Sequence, residues 1–112
     1  MTVYQLTKSF PQEEKFGLIS QIRRAAVSIP ANVAEGAGRQ SEKEFAYFLS
    51  NAQGSASELS TELLIAHRLG YLSAQAYKAA NEELNNIGRM LYGLIKRVEA
   101  QTPGGKAFRA RG

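Results

Sequence analysis

Residues 73–100 read SAQAYKAANEELNNIGRMLYGLIKRVEA. Within that stretch Tyr77, Ala80, Leu84, Ile87, Leu91, Leu94 and Val98 recur at alternating steps of three and four. That spacing puts one apolar stripe along one side of an α-helix. Ser73 stands where an N-cap belongs, its hydroxyl able to accept from free amides of the first turn. Lys96 and Arg97 fall near the other end, where cations suit the helix dipole. Gly88 and Gly93 lie inside, each costing about 1 kcal/mol against alanine, and close approach of a neighbouring helix is the expected reason for them.

Working outward toward the N-terminus, a second long helix precedes this one. Ser41-Glu42-Lys43-Glu44 has the form of a capping box. Phe45, Phe48, Ala52, Ala56, Leu59, Leu63 and Ala66 then form its expected stripe. Gly70 suits the left-handed position that ends a helix. Only Gly70-Tyr71-Leu72-Ser73 joins the two segments, so they are expected to form an antiparallel hairpin. The run Asn51-Ala52-Gln53-Gly54-Ser55-Ala56-Ser57 is small and polar for a helix interior. It reads as a packing or assembly face, with Gly54 and Ser55 at its centre.

A third helix is expected to open at Ser9-Phe10-Pro11-Gln12-Glu13-Glu14, with proline and two glutamates in its first turn. Phe16, Ile19, Ile22, Ala26, Ile29 and Val33 supply its stripe. Pro30 lies inside it and predicts a kink, with helix resuming through Asn32 to Glu35. Gly36-Ala37-Gly38 ends it. Only Met1 to Lys8 remain, too few for a helix stable alone. The reading is therefore an all-α, up-and-down antiparallel four-helix bundle whose first helix is cut short or begun late. Residues 1–102 form the one domain, and residues 103–112 a flexible basic tail.

Composition narrows the function. The 112 residues include no cysteine and a single histidine, so disulfides, thiolate metal sites and cysteine nucleophiles are excluded. Aspartate is also missing. No Gly-x-Ser-x-Gly elbow accompanies His67, and no Glu-x-x-His pair offers a di-metal site. No enzyme activity, cofactor or metal is expected. No apolar run approaches the ~20 residues of a membrane span, and a cytoplasmic location is the expectation. The net charge is +4, yet Lys106, Arg109 and Arg111 lie in the tail. Positions 1–102 keep 11 basic against 10 acidic residues, so the body is about neutral. Glu58 and Glu62 share a face, and with Arg23, Arg24 and Glu35 they read first as interhelical ion pairs. The competing reading makes Arg23, Arg24 and Arg39 phosphate contacts.

The stretch Gln21-Ile22-Arg23-Arg24-Ala25-Ala26-Val27-Ser28-Ile29-Pro30-Ala31-Asn32-Val33-Ala34-Glu35-Gly36, with Phe10-Pro11-Gln12-Glu13-Glu14 before it, resembles the 23S ribosomal RNA intervening-sequence protein family. Phe45 to Leu49, Gly54-Ser55, Glu58-Leu59 and Gly70-Tyr71-Leu72 look like the rest of that pattern, which lacks here only the tryptophan-bearing start. The resemblance implies a four-helix bundle assembled as a ring-like homopentamer, with some relatives encoded inside bacterial 23S rRNA genes. It also implies a likeness to the accessory variability determinant proteins of diversity-generating retroelements, basic pentamers that bind a reverse transcriptase and nucleic acid. On that basis the expected partners are further copies of this chain, then RNA or DNA or a reverse-transcriptase-like protein. Arg23, Arg24 and Arg39 become the nucleic-acid candidates. Pro30, Asn32, Glu35, Gly54, Ser55, Glu58 and Glu62 become the structural or assembly candidates. A non-enzymatic oligomeric scaffold is the first functional expectation. A protein-interaction module without nucleic-acid affinity is the alternative.

Overall fold

A computed structural model describes residues 3–12 and 17–101. They form four helices: α1 (Val3–Thr7), α2 (Leu18–Ala37), α3 (Glu42–Arg68) and α4 (Ala74–Ala100). No strand occurs among the described residues. The expected tail, residues 103–112, lies outside them. The α3 and α4 helices have 27 residues each, or about 40 Å at 1.5 Å per residue. They account for the long axis of a body measuring 49 × 23 × 23 Å. No helix among the described residues is long and apolar enough to cross a membrane.

The α3 helix is central, with α2 packed on one side and α4 on the other, while α1 lies against α2. Both expected N-caps form. Ser41 Oγ accepts from Glu44 N at 3.0 Å and Ser73 Oγ from Ala76 N at 3.0 Å. Glu44 reaches back to the Ser41 hydroxyl, at a long 3.4 Å. Gly70 has φ +84°. Tyr71 N donates to Ala66 O at 2.9 Å and Gly70 N to His67 O at 3.0 Å. That pair of bonds is a Schellman ending, which satisfies carbonyls the helix would otherwise leave free. Across the turn the His67 ring stacks on Tyr77, centroids 4.9 Å apart. His67 Nδ1 stands 3.1 Å from Leu72 O. A carbonyl only accepts, so Nδ1 carries the proton.

The core runs through Ile22, Ala25 and Ile29 of α2, Leu49, Ala52, Leu59 and Leu63 of α3, and Leu84, Leu91, Ile95 and Val98 of α4. The α4 stripe has the expected residues, with Ile95 added and Tyr77, Ala80, Ile87 and Leu94 half-buried. At the start of α3 the core residues are Ala46 and Leu49, while Phe45 and Phe48 are half-buried. The two phenylalanines turn instead toward the C-terminal end of α2. There a Cβ on Gly36 would meet Phe48 Cβ at 2.8 Å and Phe45 Cδ1 at 2.9 Å. Gly36 therefore lets two helices meet through their backbones.

Two expectations change. The described part of α2 opens at Leu18, after a Gly17 that makes no side-chain cap bond, and not at Pro11. Glu13 to Phe16 lie outside the described residues. Before that gap, Phe10 is buried and packs on Tyr71, ring centroids 5.3 Å apart. Second, a Cβ built on Gly88 or Gly93 meets nothing within 4 Å. No described helix lies against them at that distance. The helix α2 continues past the exposed Pro30 through Asn32 to Glu35, as expected.

Val3 and Leu6 of α1 border an apolar cleft of about 170 Å³, lined also by Ala26, Ile29, Leu84 and Ile87. A wider groove runs along the outer side of α3 and α4, past Gly54, Ser57, Ser60, Asn85, Gly88 and Tyr92.

Candidate functional site

Several of the residues singled out in the sequence fall along the seam between α2 and α3. Because the two helices are antiparallel, Arg24, Ser28 and Gly36 on α2 fall opposite Glu62, Ser55 and Phe48 on α3. Ser28 Oγ and Ser55 Oγ share a hydrogen bond of 2.7 Å. Asn32 Nδ2 donates to Ser28 O at 2.8 Å and to Ser28 Oγ at 3.0 Å. Asn32 and Ser55 thus join one polar clamp, centred on Ser28 and spanning the turn that holds Pro30. Gly54, next to Ser55, points elsewhere: a Cβ there meets nothing within 4 Å.

The three arginines have distinct surroundings. Arg23 is half-buried and turned back on its own chain. Its Nε and Nη2 donate to Thr7 Oγ1 at 3.1 and 2.9 Å. Its guanidinium also lies 4.4 Å from the centroid of the Tyr4 ring, within cation–π range. Arg23 is the tether of α1. Arg39 pairs with Glu35 at 2.7 Å and with Glu44 at 3.8 Å. It also lies 4.9 Å over the Phe48 ring. Its side chain keeps 42% exposure, so these pairs are screened and individually weak. Arg24 is exposed and faces the Glu58–Glu62 pair.

Glu62 is the outlier of the seam. It is 6% exposed, and its Oε1 is buried without a hydrogen-bond partner. Burial raises its pKa from 4.5 to about 7, helped by the charge of Glu58 and a hydrogen bond to it, while Arg24 pulls the other way. A carboxyl in such a place holds its proton more tightly than one in water. The i, i+4 spacing identified the pair, but not that one member is inside. Leu59 and Leu63 on either side were the available signal.

Among the described residues no three histidine, aspartate or glutamate side chains cluster as a metal ion would need. His67 is held by Tyr77 and Leu72, which gives it a place in the α3–α4 turn.

Thr7 was not identified from the sequence. It is 2% exposed, accepts both Arg23 bonds and donates to Val3 O at 3.0 Å. A lone threonine in a short segment carries no pattern that would single it out.

The sequence model for 23S rRNA-intervening sequence proteins matches residues 1–93. No curated protein matches the chain.

Proposed function

The chain belongs to the 23S rRNA-intervening sequence protein family, and from that premise we propose that it is a non-enzymatic scaffold that assembles with copies of itself, as a ring-like homopentamer, in the cytoplasm. The observation that carries this reading is the outer side of α3 and α4. The groove there is lined by Gly54, Ser57 and Ser60 of α3 and by Gly88 and Tyr92 of α4, and Tyr92 is exposed. Gly54 and Gly88 have open space where a Cβ would go. Scattered exposed apolar residues are ordinary. A groove lined by glycines, small residues and an exposed tyrosine suits a helix of a second copy, because small residues let backbones approach. A body this small also gains buried surface by assembling.

The scaffold's further partner would be RNA, DNA or a nucleic-acid enzyme of the reverse-transcriptase kind. The arginine geometry favours the second reading, a protein-interaction module without nucleic-acid affinity. Arg23 is spent on Thr7 and Tyr4, and Arg39 on Glu35 and Glu44. A phosphate would have to compete with those contacts. Titration with a short RNA at low and high salt separates the two. Retention at low salt that vanishes at high salt supports phosphate binding through counterion release. No retention at either leaves the protein-interaction reading.

A further inference from the structure

Neither assembly nor nucleic-acid binding gives Glu62 a task, and a buried carboxyl is costly to keep unless it is neutral or paired. Three observations bear on it. Its Oε1 has no hydrogen-bond partner and is sealed from solvent. Glu58 stands one turn earlier on the same face of α3, close enough to hydrogen-bond it. Ala25 of α2 and Leu59, Leu63 and Ala66 of α3, all buried, are its neighbours in sequence and register. The charged groups that face Glu62 are Glu58 on its own helix and Arg24 on α2; α4, packed on the other side of α3, brings none among the described residues.

We propose that Glu58 and Glu62 hold a single proton between them in the folded chain, and that its loss loosens the α2–α3 seam. With the proton present, one carboxyl donates to the other and the pair carries one negative charge, which Arg24 balances. Once the proton leaves, two carboxylates share one turn with one guanidinium opposite, and Glu62 is an ion in an apolar setting. The seam can relieve this only by opening or by admitting water.

The sign follows from the two states of Glu62. Its pKa is about 7 folded against 4.5 unperturbed. Between those values the folded chain holds a proton that the unfolded chain has lost. Stability therefore falls as pH rises through that window, and the loss is complete above about 7. This is opposite in direction to an ordinary ion-paired carboxylate, whose contribution is lost on acidification.

The test is a pH titration of the Glu62 side-chain carboxyl 13C resonance in the full-length wild-type protein, beside thermal unfolding of wild type and Glu62→Gln from pH 5 to 8. The resonance is expected to titrate near pH 7. The wild-type midpoint temperature is expected to fall relative to Glu62→Gln over that range. Glu58→Gln should move the Glu62 midpoint down, and Arg24→Gln should move it up. A Glu62 midpoint in the ordinary carboxylate range overturns the proposal, and that reading needs no variant to fold. Parallel unfolding profiles of wild type and Glu62→Gln overturn it as well.

Discussion

At Gly36 an added Cβ would stand 2.8 Å from Phe48 Cβ, and that side-chain atom is fixed to the α3 backbone. Neither can move without parting the helices. Gly36→Ala gains helix propensity of up to about 1 kcal/mol, but overpacking costs about 1–3 kcal/mol. A net destabilisation is expected, read as a lower urea midpoint with an unchanged slope. Gly88→Ala makes the contrast, since its Cβ has open space in the single chain. In an isolated monomer it should stabilise by about 1 kcal/mol. The sequence marked Gly88 as a place where helices meet and Gly36 only as the end of one. The close approach falls at Gly36 instead, because a glycine's place in the pattern does not say what packs against it. Glu62 shows the same limit: spacing placed it beside Glu58, but only the packing of Leu59 and Leu63 decides that it is buried.

Among the elements, α3 and α4 were the most legible, and their caps were read residue by residue. Ser41, Ser73 and Gly70 act locally, so nothing distant can override them. The start of the α3 core stripe was misplaced because Phe45 and Phe48 are larger than Ala46 and Leu49, and size drew the stripe toward them. A central helix buries two sides, and its α2 side took the phenylalanines while its core side took the smaller residues. The α1 helix was the least legible. Five residues make no stable helix on their own, and its order comes from Arg23 through Thr7 and Tyr4. Arg23→Ala should therefore release α1 alone: amide exchange at Leu6 and Thr7 should speed up while α3 and α4 stay protected. Equal exchange at α1 in wild type and variant would show that the buried Leu6 and Phe10 hold it unaided. Gly70→Ala should cost about 1–2 kcal/mol, because φ +84° is strained for any residue with a Cβ.

For the whole molecule, the sequence carried the all-helical class, the four segments and the family, because each rests on period, caps or a long motif. What it could not carry is that the outer side of α3 and α4 has open space beside Gly54 and Gly88. The central claim is that this side meets another copy of the chain. Static light scattering of the purified protein measures it directly, with a short RNA added at low and at high salt as the second arm. The expected mass is five times the 12.3 kDa chain, and Gly88→Leu should lower it while leaving the helix content intact. A mass of one chain for the wild type at all concentrations would contradict the account.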